Sequence, residues 1–211
     1  MNIFQILLWP FTTLITKVFE FSFFLTGNYG ISLILVSFFI TLITAPLYIL
    51  ADKWKAEELT LKNKMAQSLQ SINTHYTGSK KFYLTKTLQK IWGYTGLHSF
   101  KTSFGLILQI PFFFGAYEAL THYSGYQGVG FLFLQDLSKA DSLFFGLALM
   151  PFIMTLVNIL SAAYYSHSFS WHKNKSLYIM AAVFLVLLYK SPSALLVYWT
   201  MNNVFSILKT F

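Results

Sequence analysis

The sequence predicts an all-α integral membrane protein with an N-terminal interfacial helix, five transmembrane helices and a cytoplasmic helical hairpin between the first and second spans. Three observations lead there. First, 55% of the 211 residues are hydrophobic and 19% aromatic, whereas only 10% are charged, against about 25% in an ordinary soluble domain. Second, the apolar residues gather in uninterrupted blocks of the length a bilayer needs, about 20 residues for a helix. Third, the net charge of +8 sits between those blocks, and a mean hydropathy of +0.56 does not describe a solvated basic surface for nucleic acid. All 15 basic residues are lysine. The chain has no cysteine, which excludes disulfides, thiolate catalysis and cysteine-ligated zinc.

Residues 1–27 come first. Met1 to Gln5 carry no basic region and no small-residue cleavage site follows, so a removed signal peptide is not expected. Pro10 interrupts the apolar run, and Lys17 and Glu20 stand one helical turn apart. An amphipathic helix in the outer interface, with Trp9 and the phenylalanines buried, fits this pattern; a sixth span is the alternative. The first span falls within 28–51, its uncharged stretch being 31–51. Residues 52–97 form the one long polar segment. Trp54, Leu61, Met65, Leu69 and Ile72, then Leu84, Leu88 and Ile91 after Thr77, Gly78 and Ser79, recur at helical spacing. They predict two antiparallel helices with lysine-rich, solvated outer faces, on which Glu57 and Glu58 also fall. Residues 98–211 hold four further spans, at 104–120, 142–165, 176–189 and 194–208. Pro192 lies in the tight turn between the last two. Two-residue alternation of the kind a membrane barrel needs does not occur.

Orientation follows from the lysines. With the N-terminus outside, Lys53, Lys55, Lys62, Lys64, Lys80, Lys81, Lys86, Lys90, Lys101, Lys173, Lys175 and Lys209 are cytoplasmic, and Lys17, Lys139 and Lys190 are external. Five spans then place the C-terminus in the cytoplasm. The hairpin lysines Lys62, Lys64, Lys80, Lys81, Lys86 and Lys90 either enforce this topology alone or also dock acidic lipid headgroups, ribosomal RNA or a nascent chain.

Polar groups inside the spans are costly unless paired or hydrated. Ser37, Thr41 and Thr44 share one face of the first span; Thr155, Asn158, Ser161 and Tyr165 share one face of the third; Trp199, Asn202, Asn203 and Ser206 share one face of the fifth. Gln109 precedes Pro111 in the second. Interhelical hydrogen bonds account for such groups one at a time, and a shared polar groove accounts for them together. Constellations for catalysis or metal binding are not expected. His75, His98, His122, His167 and His172 fall in loops or at span ends without ligand spacing, and the seven carboxylates form no intramembrane pair. Glu118, near the outer end of its span, suits snorkelling or capping. No phosphate-binding glycine loop occurs. The sequence therefore predicts a non-enzyme with no cofactor and no metal.

Several short segments, taken in order, resemble the YidC-type membrane protein insertases (the YidC/Oxa/Alb group). They are Asn28, Tyr29 and Gly30 before the first span, Pro46 and Leu47 near its inner end, Leu108, Gln109, Ile110 and Pro111 followed by Phe112 and Phe113, and Ser191, Pro192, Ser193, Ala194 and Leu195 followed by Val197, Tyr198, Trp199 and Asn203. The likeness covers about residues 3–210. It implies a protein of the bacterial inner membrane that inserts and helps fold client membrane proteins through a hydrophilic groove, without consuming nucleotide. The groove it implies is lined by Ser37, Thr41, Thr44, Gln109, Asn158, Ser161, Tyr198, Trp199, Asn202 and Asn203. The implied partners are client membrane proteins and the lipid bilayer, with the Sec translocon, the ribosome or a dedicated membrane complex as further candidates, and no DNA. The chain differs from the family pattern in two places. Thr41 stands where an arginine usually precedes the proline by five residues, and His98 to Ser103 replace the usual entry to the second core span. The chain therefore resembles a divergent member, for which the second reading is a non-catalytic paralogue held as a fixed subunit or assembly factor of one membrane complex.

Overall fold

The computed structural model of the chain describes residues 3–141, 147–166 and 169–208. The start of the expected third span (142–146), His167 and Lys209 lie outside the described residues, as do the side chains of Tyr165, His172 and Lys173. The described chain is helical: α1 Ile3–Thr26, α2 Tyr29–His75, α3 Gly78–Ile91, α4 Gly96–Thr102, α5 Phe104–Thr121, a 3-10 turn at Ser124–Tyr126, α6 Met150–Tyr165, α7 Trp171–Leu188 and α8 Ser193–Leu208. Among the described residues there is no strand; Phe131 and Leu134 form an isolated antiparallel bridge. Three stretches are long and apolar enough to cross a membrane, Gln5–Thr26, Tyr29–His75 and Gly96–Thr121; Met150–Tyr164 and Leu177–Leu188 are shorter apolar helices.

The chain divides into two compact units, one of Met1–Thr44 with Pro111–Phe211, the other of Ala45–Ile110. In the first, α1, the start of α2, the end of α5 and α6–α8 surround a core that includes Ile15, Phe19, Val36, Phe113, Met154 and Leu196. Helix α1 continues through Pro10, which removes one intrahelical hydrogen-bond donor.

The segment from Asn28 to Gly30 has a physical role in this unit. Gly27, with φ of +62°, ends α1 in the left-handed conformation. Asn28 then caps α2, its Oδ1 accepting from Ile31 N at 3.1 Å. Tyr29 stacks on Phe23 at 4.1 Å between centroids. Gly30 lies under the Phe131 ring: a Cβ there would stand 1.9 Å from Phe131 Cδ2. Gly30→Ala is therefore expected to push that ring out and lower thermal stability by about 1–3 kcal/mol, read as a fall in melting temperature in detergent.

The loop after α5 is organised by two carboxylates. Asp136 accepts from Gly128 N (3.1 Å), Ser138 N (2.9 Å) and Ser138 Oγ (2.7 Å), and pairs with Lys139 at 3.1 Å. The Ser138 hydroxyl, with these amides and Lys139, holds its carboxyl at about 2, below the ordinary 3.8. The loop is joined to the turn before α8, where Ser193 N and Oγ each donate to Lys139 O at 2.8 Å and Ala194 N to Leu137 O at 3.0 Å. Asp141 Oδ2 caps α6, accepting from Leu149 N (2.6 Å) and Met150 N (2.8 Å), in place of the side-chain cap that Leu149 cannot supply.

The first span and the first hairpin helix are one continuous helix, α2, through Pro46, of which the part from Ala45 on belongs to the second unit. Helix α3 follows, with Met65 of α2 buried and Leu84 and Leu88 half-buried, but Ile91 exposed. A Schellman turn ends α3: Tyr94 N donates to Gln89 O (2.7 Å) and Gly93 N to Lys90 O (3.1 Å), with Gly93 at φ of +66°. The short α4, which the residue pattern did not suggest, leads into α5 with only Ser103 between them.

Candidate functional site: a polar seam in the helix bundle

The seam lies in the first unit and is built on α8. One helical turn separates Tyr198 from Asn202, and Trp199 and Asn203 lie on the neighbouring face. Toward α2, Ser37 Oγ stands 2.8 Å from Tyr198 O and 2.9 Å from Leu33 O. One turn further, Thr41 Oγ1 donates to Asn202 Oδ1 at 2.9 Å. Toward α6, Ser161 Oγ donates to Asn203 O at 3.1 Å, while Asn203 Nδ2 turns back to Trp199 O at 2.8 Å.

The expected stripes are thus brought together in part. Ser37, Thr41, Tyr198, Asn202, Ser161 and Asn203 meet across two helix interfaces. Thr44 is buried and bonds its own helix, at 2.7 Å to Ile40 O. Thr155 does likewise, at 2.8 Å to Pro151 O. Asn158 is half-buried on α6 and Ser206 is exposed on α8. Gln109 is half-buried on the part of α5 that belongs to the second unit.

Trp199 is packed against Phe113 and Phe184, each with ring centroids 5.0 Å away. Its Nε1 is buried without a hydrogen-bond partner among the described residues, although a buried indole N–H usually finds one. Chemically the seam is neutral. It offers hydroxyls, amides, backbone carbonyls and one unused N–H donor, which suits transient pairing with a polypeptide and supplies no nucleophile, base or metal cage. Among the described residues no group of three or more His, Cys, Asp or Glu side chains could hold a metal.

The hairpin base holds a group that sequence reasoning placed in solvent. Glu58 is buried; Tyr94 Oη donates to it and Lys62 Nζ pairs with it at 3.0 Å. Burial alone would raise its pKa, but the hydrogen bonds from Thr102, Tyr94 and Lys62 outweigh that and hold it at about 2, below the usual 4.5. Lys62 is pushed up in turn, chiefly by its hydrogen bond to Glu58. Of the other hairpin lysines, Lys64, Lys80, Lys86 and Lys90 are exposed and Lys81 is half-buried. The signal that could have found Glu58 is its angular position. It lies one turn below Leu61 and two below Met65, on the inner face, whereas Glu57 is rotated about 100° away.

These features define an all-helical membrane protein whose apolar bundle is stitched by a neutral polar seam and carries a lysine-rich helical hairpin. Residues 21–211 match the family described as 60Kd inner membrane protein, and the chain belongs to that family, the one that contains the YidC-type insertases. It is 24% identical to the membrane protein insertase YidC of Leptospira interrogans over 196 residues, covering 87% of this chain and 30% of the relative. It is also 24% identical to the membrane protein insertase YidC of Treponema denticola over 217 residues, covering 95% of this chain and 36% of the relative. The chain thus spans about a third of the length of these curated relatives. The fold is that of a crystal structure of an active YidC insertase with its first transmembrane domain resolved, with a TM-score of 0.63 at 21% identity, covering all of this chain and 47% of that one.

Proposed function

We propose that the chain is a membrane protein insertase and chaperone that carries polar stretches of client membrane proteins through the seam, without nucleotide hydrolysis. The observation that carries this reading is that hydroxyls and amides on three helices meet as exchangeable, uncharged hydrogen bonds inside an apolar bundle. In the resting chain Thr41 bonds Asn202 and Ser161 bonds Asn203 O. A client's backbone or polar side chain can replace either partner at little net cost, because such bonds in membranes are worth about 0.6 kcal/mol each. The unused N–H of Trp199 offers a client carbonyl a further partner.

In this reading α1 lies in the outer interface, five spans follow, and the chain sits in the bacterial inner membrane with the N-terminus outside and the C-terminus in the cytoplasm. The lysine distribution supports that orientation. A photo-crosslinker at Thr41 or Asn202 is expected to capture nascent membrane proteins during synthesis, and one at Gln109 tests separately whether the second unit meets the client. Crosslinks to lipid alone at Thr41 and Asn202 would sink the reading, and a single stoichiometric partner at both would favour a fixed subunit instead.

The hairpin tip is proposed to meet a polyanion beyond the bilayer, ribosomal RNA being the fit by charge. The part of α2 past Ala51 is on the order of 35 Å long at 1.5 Å rise per residue, which carries Lys80 and Lys81 away from the span. Lys80→Glu with Lys81→Glu is expected to weaken co-sedimentation with ribosomes more at low salt than at high salt. An unchanged salt slope would leave those lysines as topology determinants.

A further inference from the structure

The hairpin base carries exposed apolar side chains close to its lysines. Helix α3 has no buried residue. At its C-terminal end Ile91 is 74% exposed and Trp92 41%, and on α4 Leu97 and Phe100 are each 57% exposed. Ile91 and Trp92 lie outside every apolar stretch long enough to span, and Leu97 and Phe100 lie at the N-terminal edge of Gly96–Thr121. Their level relative to the bilayer is set by the chain itself. Only Ser103 separates α4 from α5, a Cβ on Gly105 would stand 3.6 Å from Ala51 Cβ, and Trp54 packs on Phe104 with ring centroids 5.4 Å apart. Lys101 Nζ lies over the Trp54 ring at 5.5 Å. An indole with a lysine at the mouth of two apolar helices is the pattern of the membrane–water interface.

An open cavity of about 560 Å³ lies at the C-terminal end of α3. It is lined by Lys86, Gln89, Lys90, Tyr94, Thr95 and the two glycines Gly93 and Gly96. No carboxylate lines it. Lys86 and Lys90 stand one turn apart on α3, and among the described residues neither has a carboxylate within ion-pair distance. A Cβ on Gly93 or Gly96 would meet nothing within 4 Å, so one wall is bare backbone with room for a bulky group.

We propose that this cavity is a headgroup site for an anionic phospholipid of the cytoplasmic leaflet. Lys86 and Lys90 hold the phosphate, and Ile91, Trp92, Leu97 and Phe100 rest against the acyl chains beside it. A soluble anion or RNA would use the lysines and leave the four apolar side chains in water; only a lipid satisfies both halves. The site does not depend on the insertase reading, since it involves no residue of the seam.

The test uses the full chain in phosphatidylcholine nanodiscs doped with brominated phosphatidylglycerol or, at the same fraction, brominated phosphatidylcholine. The quenching due to Trp92 is the part that disappears in Trp92→Phe. Brominated phosphatidylglycerol is expected to quench Trp92 about threefold more than brominated phosphatidylcholine. Lys86→Gln with Lys90→Gln is expected to abolish that preference, while the tip pair Lys80→Gln with Lys81→Gln retains it. Equal quenching by the two lipids, or equal loss in the two lysine pairs, would overturn the proposal in favour of diffuse attraction. Abolition of the preference by inorganic phosphate at matched ionic strength would overturn it in favour of a free-anion site.

Discussion

At neutral pH, replacing Glu58 by alanine is expected to loosen the hairpin base by about 3 kcal/mol. Glu58 joins α2 to Tyr94, beyond the α3 turn, and to Thr102 on α4. Its carboxyl is held at about 2 instead of 4.5, so the folded base favours the charged form. A carboxyl lowered in this way contributes stability that is complete above the unfolded value. The contribution fades as the pH falls from about 5 toward 2, because the unfolded chain then binds the proton first. Glu58→Gln keeps an acceptor for Tyr94 but removes the ion pair with Lys62, and should lose less than Glu58→Ala. The measurement is amide hydrogen exchange of residues 93–102 in the full chain. Protection should fall roughly a hundredfold in Glu58→Ala at pH 7, and in the unaltered chain it should fall as the pH approaches 3. Equal protection in the variant, or a pH-independent base, would show that the carboxylate does not hold the turn.

Glu58 also marks where the sequence stopped being legible. The apolar helices could be read because hydrocarbon-length blocks and 3.6-residue periodicity are local properties. The stripes on α2, α6 and α8 could be read for the same reason. Which group each stripe residue bonds could not, since Thr41 meets Asn202 and Ser161 meets Asn203 O only once three helices are packed. The hairpin tip was visible from Thr77 and Gly78, but the unbroken run of α2 through Pro46 was not, because a proline inside a long apolar helix is tolerated where its neighbours restore the lost pairing. Helix α4 is too short to show a period. The cap that Asp141 places on Leu149 N and Met150 N acts across eight and nine residues, so no local capping signal announced it. Ile91 kept the helical period and still came out exposed, because the turn at Gly93 ends α3 there.

Thr41→Arg is expected to cost at least about 3 kcal/mol, although the family pattern carries an arginine at this place. Thr41 is 6% exposed, and one turn away Ser37 Oγ approaches Tyr198 O to 2.8 Å, so α2 and α8 are in direct contact beside it. A guanidinium there must separate the helices or remain buried without a counterion. Thr41→Val, which removes only the hydroxyl bond to Asn202, should cost about 0.6 kcal/mol. The contrast isolates charge from hydrogen bonding. Adding Asn202→Asp supplies the counterion, and the double variant should recover much of the loss, giving a favourable coupling in a double-mutant cycle read by thermal unfolding in detergent. If Thr41→Arg alone is tolerated within about 1 kcal/mol, water already reaches this position at rest, and the seam is an open groove instead of a closed one. A closed neutral seam has a functional consequence. In the proposed insertase reading, client segments enter by exchanging hydrogen bonds with Thr41 and Ser161, not by attraction to a fixed positive charge, so acidic clients should gain no advantage over neutral polar ones in the unaltered chain. The double variant, with its charge already paired, should show the same indifference. A preference for acidic clients in the unaltered chain would place the attracting charge outside the seam.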